Sequence, residues 1–190
     1  MIEQNKVYIS IVNYNNSAQT IKCIESILKL NYVNYKIVLV DNNSSDDSLK
    51  DLENWFIKQS ILFSYKILFN NKVTIIKSKF NGGYAFGNNL AIKHIFEFDP
   101  LSYVWILNND TKVDANSLKS LTESFDSSSL QILGCKIMSS DTESVESYGG
   151  RINKLFLSAY NCQKQESNIN YIPGTSIFFN KGVVDKIGFL

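Results

Sequence analysis

The chain has 190 residues, 44% of them hydrophobic, so it can bury one substantial core and is most simply one domain. A formal net charge of +1 argues against a nucleic-acid binder that works by bulk electrostatics. Three separated cysteines without a C-x-x-C pair oppose a disulfide framework and a zinc site, and are typical of a reducing compartment.

The first two thirds of the chain repeat a strand followed by a helix. Apolar runs predict strands at residues 7–12, 35–40, 73–76 and 103–107. The helix signals are Asn16 or Ser17 for the first helix, a Ser44 to Asp47 capping box for the second, a stripe from Leu90 to Phe96 for the third, and Asn116 or Ser117 for the fourth. The alternation predicts a mostly parallel sheet covered by helices on both faces.

After about residue 130 the pattern changes to strands without long helices between them. These strands are predicted at residues 132–138, 148–152, 156–160 and 171–179, and they should add antiparallel pieces to the sheet. Residues 57–72 fit either an extension of the second helix or a hairpin-like excursion. The aromatic run within them fits a core, a partner surface or a membrane-facing surface.

No segment of the sequence predicts a membrane anchor or a leader. No apolar stretch reaches the length of about 18 residues that spans a bilayer. The N-terminus carries acidic Glu3 and lacks the apolar region of a signal peptide, so the expected location is the cytoplasm.

Polar residues follow three of the predicted strands, at the sheet edge where open α/β sheets bind ligands. The run Asn13-Tyr14-Asn15 offers an aromatic face for a base and amides for its edge. Asp41 can accept hydrogen bonds from a ribose hydroxyl or a base N–H, with helix capping as the alternative. In the run Asn108-Asn109-Asp110 the lone carboxylate is placed to hold a divalent cation, with a simple turn as the alternative.

The positions of the glycines exclude two common classes of nucleotide-binding protein, the dinucleotide dehydrogenases and the P-loop NTPases. The turn after the first strand, residues 13–17, has no glycine, so the G-x-G-x-x-G fingerprint of dehydrogenases is missing, and no G-x-x-x-x-G-K-[ST] loop occurs anywhere. The glycines instead follow the third strand, in Asn81-Gly82-Gly83 and Gly87-Asn88-Asn89. Asn88 or Asn89 is expected to begin a helix whose N-terminus favours anions, although the glycines alone fit a plain turn.

Taken together, the loop motifs resemble those of family 2 glycosyltransferases, and most closely the rhamnosyltransferase-like branch of bacterial surface polysaccharide synthesis. The resemblance extends from Val7 to Leu190. The motifs that carry it are Ser10-Ile11-Val12-Asn13-Tyr14-Asn15, Val40-Asp41-Asn42-Asn43-Ser44-Ser45-Asp46, Asn81-Gly82-Gly83, Ile106-Leu107-Asn108-Asn109-Asp110-Thr111 and Pro173-Gly174-Thr175.

The resemblance implies a GT-A fold, which is a Rossmann-like three-layer α/β sandwich with a mixed, mostly parallel central sheet, formed by residues 1–190 as one nucleotide-sugar-binding domain. It implies a UDP- or dTDP-activated donor, a saccharide or lipid-linked acceptor, Mg²⁺ or Mn²⁺, and inversion at the transferred sugar. The expected location is then the cytoplasm or the inner face of the membrane.

Roles for individual residues also follow from the resemblance. Asp110 would bind the metal that bridges the diphosphate, Asp41 would bind the uracil or thymine edge, and Asn108 would face the ribose or the sugar. The residues expected to bind the nucleotide or the donor are Asn13, Tyr14, Asn15, Asp41, Asn43, Asn81, Gly82, Gly83, Asn88, Asn108, Asn109 and Gly174.

The chain departs from the family pattern in three ways. Asn108 replaces the first Asp of the D-x-D motif, and Asn88 stands where many relatives place an Arg. In relatives the general base lies in a segment that would follow Leu190, so the chain is expected to be truncated at its C-terminal end. The alternative function is a non-catalytic nucleotide-sugar-binding or assembly module, and a nucleotidyltransferase is weaker because a glycine- and Arg/Lys-rich phosphate loop is missing after the first strand.

Overall fold

The structure, a computed structural model, describes residues 5–153, 155, 158–164 and 169–190. These residues form one six-stranded sheet, two two-stranded sheets and five helices. The large sheet contains β1 (Val7–Asn13), β2 (Tyr35–Asp41), β3 (Phe63–Ser64), β4 (Val73–Lys77), β5 (Tyr103–Asn108) and β10 (Ser176–Asn180). The small sheets pair β6 (Ile137–Met138) with β7 (Val145–Ser147) and β8 (Gly150–Asn153) with β9 (Ser158–Asn161). The helices are α1 (Ser17–Ile27), α2 (Ser48–Lys58), α3 (Gly83–Phe98), α4 (Ser117–Ser124) and α5 (Lys181–Ile187).

The strand order of the large sheet is β10-β5-β1-β2-β4-β3, in which β10 alone is antiparallel to its neighbour. The chain adds β2 and β4 on one side of β1 and then crosses to place β5 on the other side. The register brings the carboxyl ends together, because Asn13 lies opposite Asp41 and Val12 lies opposite Asn108. The boundary between β1 and β5 is therefore the topological switch point of the sheet.

Two apolar cores cover the two faces of this sheet. One contains Leu39 and Trp105 with buried side chains of α1, α2 and α4, while the other contains Val38 and Ile106 with those of α3 and α5. Residues adjacent in the strands thus point to opposite faces, and both faces are buried, as parallel sheets require. The predicted three-layer sandwich with a mixed, mostly parallel sheet is confirmed.

Some predicted helix starts are wrong. The third helix begins at Gly83, before the predicted start at Asn88 or Asn89. The Ser44–Asp47 capping box does not form, since α2 begins at Ser48 and Ser44 binds Asp41 instead. Asn16 takes the position before α1, but its side chain caps none of the described backbone.

The strands after residue 130 are shorter than predicted and mostly leave the large sheet. Of the four predicted segments, only the last joins the large sheet as a strand, β10. The first segment contacts that sheet only through an isolated bridge between Leu133 and Phe178. In the third segment residues 156 and 157 lie outside the described residues, and the strand found there begins at Ser158. In the segment 57–72, for which the sequence left a helix extension or a hairpin-like excursion open, α2 ends at Lys58 and the short strand β3 follows. β3 pairs in parallel with β4. No helix in the described ranges is long and apolar enough to cross a membrane.

Candidate functional site

A cleft of about 360 Å³ opens outside the carboxyl ends of β1 and β5, at the switch point of the sheet. It is lined by Val12, Tyr14, Asn16, Asn42, Asn81, Gly83, Tyr84, Leu107, Asn108, Asn109 and Asp110. The fold therefore brings six of the predicted site residues to one place, namely Tyr14, Asn81, Gly83, Asn108, Asn109 and Asp110. The other predicted residues lie beside the cleft or behind it.

The turn after β5 presents the Asp110 carboxylate at the cleft. Asp110 is exposed, and its carboxylate accepts no hydrogen bond from the described part of the chain. Its two preceding neighbours are anchored, because the Asn108 backbone N–H donates to the Thr175 carbonyl at 3.1 Å and Asn109 Nδ2 donates to Thr20 Oγ1 at 3.0 Å. The turn is thus held in place while its carboxylate remains available to an external ligand.

The cleft suits a metal that is shared with a bound ligand. Within residues 5–153, 155, 158–164 and 169–190, no group of three or more His, Cys, Asp and Glu side chains is placed to hold an ion. Mg²⁺ is commonly bound by one or two carboxylates together with substrate phosphates and water. A single exposed carboxylate, Asp110, next to the amides of Asn108 and Asn109, fits that chemistry.

Cys23 lies directly behind this turn as a protonated thiol. It is buried, and its Sγ donates to the Asn108 carbonyl at 3.6 Å. Burial, and after it the charge of Asp110, raises the pKa of the Cys23 thiol to about 12. At neutral pH the group therefore supports the turn as a weak donor.

The polar side chains at the ends of β1 and β2 bind each other. Asn13 has no exposed surface, and its Nδ2 donates to Asp41 Oδ1 and to Ser44 Oγ, both at 3.1 Å. Asp41 is 5% exposed and also accepts from the Ser44 N–H at 3.1 Å and from the Ser44 hydroxyl at 2.6 Å. Neither Asn13 nor Asp41 lines the cleft, so their contacts with a base stay predictions, and their observed partners are within the protein.

Asn42 lines the cleft although the sequence pattern did not single it out. Its Nδ2 donates to Asn81 Oδ1 at 2.8 Å and to the Gly83 carbonyl at 3.2 Å, which fixes the orientation of the amide. Its Oδ1 is buried and has no partner among the described residues. A buried acceptor without a partner costs about 1–3 kcal/mol.

Asn15 and Asn43 lie at the exposed rim of the same loops. Both have a positive φ, 50° and 63°, which Asn tolerates better than most residues. The Asn15 Oδ1 accepts from the Ser45 N–H at 2.8 Å, and this bond joins the loop after β1 to the loop after β2. Contacts of Asn15 and Asn43 with a donor stay predictions.

The glycine turn after β4 brings the start of α3 to the cleft. Gly83 has a φ of +81°, a backbone conformation that favours glycine, and its N–H donates to Asn81 Oδ1 at 2.9 Å. Gly82 is exposed beside it. The N-terminus of α3 therefore lies next to the cleft at Gly83 and Tyr84, earlier than predicted.

Asn88 holds α3 on the sheet. It has no exposed surface, its Oδ1 accepts from the Ser10 hydroxyl at 2.9 Å, and its Nδ2 donates to the Tyr84 carbonyl at 3.1 Å. The structure thus places this predicted donor-binding residue behind the cleft, between α3 and β1.

Tyr84 links the start of α3 to the turn before β10. Its ring lines the cleft, and its hydroxyl donates to the carbonyl of Gly174. Burial raises the pKa of the Tyr84 hydroxyl to about 12, so the group remains a donor at neutral pH. Gly174 is thus connected to the cleft through Tyr84. The sequence pattern did not single out Tyr84, and the aromatic residue directly after Gly82-Gly83 is the signal that could have identified it.

Comparisons with known proteins agree with this architecture. A sequence model of glycosyl transferase family 2 matches residues 8–188. Glycosyltransferase GlyG of Streptococcus pneumoniae serotype 4 is 29% identical over 108 residues, which are 57% of this chain and 31% of that protein.

Solved structures share the fold at low sequence identity. Mannosyltransferase PcManGT from Pyrobaculum calidifontis, in complex with GDP-Man and Mn²⁺, has a TM-score of 0.67 at 13% identity and covers 99% of this chain and 48% of its own. S. aureus TarS 1-349 in complex with UDP-GlcNAc has a TM-score of 0.64 at 16% identity, covering 95% of this chain and 46% of its own. The chain thus spans about half the length of these structures and about a third of GlyG.

Proposed function

The chain belongs to glycosyl transferase family 2, and from this membership we propose that its cleft binds a nucleoside-diphosphate sugar whose sugar is transferred to a saccharide or lipid-linked acceptor. The proposed donor is a UDP- or dTDP-sugar, the transfer inverts the sugar centre, and the products serve bacterial surface polysaccharides. With a lipid-linked acceptor the transfer would take place at the inner face of the membrane.

The observation that carries the proposal is the Asp110 carboxylate, exposed at the switch-point cleft without a partner in the described protein. We propose that Asp110 holds Mg²⁺ or Mn²⁺ together with the diphosphate. When bound, such an ion neutralises negative charge on the departing diphosphate. The chain's own contribution is the orientation of the carboxylate through the anchored neighbours Asn108 and Asn109.

We assign the base of the nucleotide to Asn42 and Tyr14. The Asn42 Oδ1 is buried at the edge of the cleft without a partner in the described residues, so the assignment requires that this oxygen becomes accessible when a base binds. As an acceptor it suits the N3–H of uracil or thymine and leaves the N3 acceptor of cytosine unpaired. The Tyr14 ring is 45% exposed in the same cleft and offers an aromatic face for stacking. Asp41 then acts indirectly, by holding the loop that carries Asn42.

The sugar of the donor is assigned to the side of the cleft that Tyr84 and Gly174 close. Their hydrogen bond brings the turn before β10 close to Asn108, whose N–H binds the Thr175 carbonyl. We assign no residue of this chain as the general base.

Calorimetry with UDP, dTDP, GDP and CDP in Mn²⁺ tests donor binding. We expect UDP or dTDP to bind more tightly than CDP, and Asp110→Asn to weaken that binding at least about tenfold, or about 1.4 kcal/mol. Asp114→Asn is the matched control, since Asp114 is exposed, lies outside the cleft, and caps the Asn116 N–H at 2.8 Å through an oxygen that Asn retains. Failure of all four nucleotides to bind, or equal binding by Asp110→Asn, would contradict the proposal.

Transfer is tested separately from binding. The chain is incubated with UDP- and dTDP-sugars and Mn²⁺, and release of the nucleoside diphosphate is compared with a metal-only control. Turnover above that control excludes the alternative function of a non-catalytic nucleotide-sugar-binding or assembly module. Mn²⁺-dependent binding without turnover supports that alternative.

A further inference from the structure

Thr20 connects the two halves of the cleft from behind. It lies in the first turns of α1, has no exposed surface and does not line the cleft. Its Oγ1 accepts a hydrogen bond from Asn109 Nδ2 at 3.0 Å and donates to Asn13 Oδ1 at 2.8 Å. One buried hydroxyl therefore touches both the turn after β5 and the end of β1.

The direction of these bonds is fixed by the group at their far end. The Asp41 carboxylate accepts from Asn13 Nδ2 and from the Ser44 N–H and hydroxyl, so Asn13 turns its Oδ1 toward Thr20. The single Thr20 proton then has two acceptors within reach, Asn13 Oδ1 at 2.8 Å and the Asn16 carbonyl at 2.9 Å, and the Thr20 oxygen accepts from Asn109. Each donor points toward the negative charge, and buried chains of this kind strengthen their own bonds.

The two ends of the chain of bonds hold different parts of the proposed donor site. At one end Asn109 is adjacent to Asp110, which we assign to the metal and the diphosphate. At the other end Asp41 and its partner Ser44 hold the loop that contains Asn42, which we assign to the base.

On the basis of the proposed function, we propose that Thr20 is a positioning residue that sets the Asp110 turn at the distance from the base-binding loop that a metal-bound nucleoside diphosphate requires. The residue touches no ligand and acts through Asn109 and Asn13. Removal of its hydroxyl takes this partner from Asn13 Oδ1 and from Asn109 Nδ2, so the bonds that connect the two halves of the cleft are lost.

A purely local role for Thr20 predicts a different result. Its hydroxyl also lies 2.9 Å from the Asn16 carbonyl, which is the ordinary bond of a helical Thr to the residue four positions earlier. If Thr20 only made that bond, its substitution would lower the stability of the fold without a specific effect on the metal dependence of nucleotide binding.

The experiment compares the effect of the metal on nucleotide binding among Thr20→Val, Thr20→Ser and wild type. The ligand is whichever of UDP, dTDP and GDP binds wild type most tightly, and its Kd is measured in Mn²⁺ and in EDTA. The control is Thr74→Val, since Thr74 is also buried and accepts from an amide, Asn71 Nδ2 at 2.9 Å, but lies in β4 away from the cleft.

The readout is the ratio of the two Kd values, which is the coupling between metal and nucleotide. We expect Thr20→Val to reduce this ratio at least about fivefold, while Thr20→Ser and Thr74→Val keep it within about twofold of wild type. If Thr20→Val does not fold by circular dichroism, Thr20→Ala replaces it.

If wild type binds nucleotide, any one of three results overturns the positioning role of Thr20 and leaves the proposed function intact. They are an unchanged ratio in Thr20→Val, an equal loss in Thr20→Ser, and an equal loss in Thr74→Val. Failure of wild type to bind any of the nucleotides overturns the proposed function itself, so the two failures are distinguishable.

Discussion

Lys72 illustrates how the fold lowers the pKa of a single residue. Its Nζ donates to the Tyr35 carbonyl at 3.0 Å and lies 3.2 Å from the centroid of the Tyr35 ring. Burial, and after it the positive charge of Lys36, lowers the pKa of the Lys72 ammonium from 10.5 to about 8. Nothing in the sequence distinguishes this lysine from its exposed neighbours.

The lowered pKa predicts a pH dependence of stability. Between pH 8 and 10.5 the unfolded chain binds a proton at Lys72 that the folded chain does not, so stability from this group rises with pH across that window. The free energy of unfolding of wild type minus that of Lys72→Met should therefore increase from pH 8 to 10.5. Urea denaturation at several pH values measures the difference, with the exposed Lys79→Met as the control. A flat or falling difference would contradict the burial of the ammonium.

The role of a single residue can be predicted from the sequence where only one side chain in a segment has the required chemistry. Asp110 is the one carboxylate of the Asn108-Asn109-Asp110 run, so within that turn it alone offers a negative charge to an ion. Asn42 and Asn43 are equivalent in the sequence, and the fold separates them, because the Asn42 N–H continues the strand ladder to the Asn13 carbonyl at 2.8 Å. That bond buries Asn42 and leaves Asn43 exposed, which no local pattern encodes.

At the scale of elements, α3 shows tertiary packing overriding helix propensity. Glycines at the start of a segment lower its helix propensity, which hid the first turns of this helix. The structure places Gly87 against β1, where a Cβ atom would lie 2.8 Å from Val12 Cγ1. The glycine that weakened the helix prediction is thus the residue that lets the helix approach the sheet.

Gly87→Ala should therefore destabilise the protein by about 1–3 kcal/mol through overpacking. An Ala for Gly exchange inside a helix would otherwise stabilise by about 0.5–1 kcal/mol. Urea unfolding of Gly87→Ala, Val12→Ala and the double variant measures the contact. We expect the double variant to lose less than the sum of the two single variants, because Val12→Ala removes the obstructing methyl groups. Stabilisation by Gly87→Ala alone would show that the packing is loose.

The strands after residue 130 mark the limit of prediction for elements. Alternating apolar residues predict strands there, but they do not identify the partner of each strand. β8 pairs with β9 and β6 with β7, and both pairs stay outside the six-stranded sheet. Only the segment that aligns antiparallel to β5 reaches it, and that pairing is a long-range contact.

For the molecule as a whole, the division between the large sheet and the small sheets predicts unequal local stability. The strands β1, β2 and β5 are buried on both faces, whereas every residue of β9 is exposed. Isolated two-stranded ribbons are marginal in water.

Native-state hydrogen exchange should therefore separate the two regions. Amides of Ile9, Leu39 and Trp105 should exchange slower by about a hundredfold or more than those of Arg151 and Tyr160 in the β8–β9 pair, after correction for intrinsic rates. Uniform protection across both regions would instead indicate that the small sheets unfold together with the large one.

The fold class was predictable because the strand and helix alternation is periodic and local. The position of the cleft was predictable too, since parallel strands meet at their carboxyl ends. What could not be predicted is the set of bonds behind the cleft, because Thr20, Asn13 and Asn109 become neighbours only after the sheet has formed.

The cleft takes its lining from segments that extend from Val12 to Asp110. During synthesis, no donor could bind until β5 had left the ribosome and paired with β1. Contacts between segments so distant in sequence form late, since closing long loops costs entropy before the contacts are made. Binding of the proposed donor would therefore not assist the early events of folding, and would add to stability only once the whole sheet has formed.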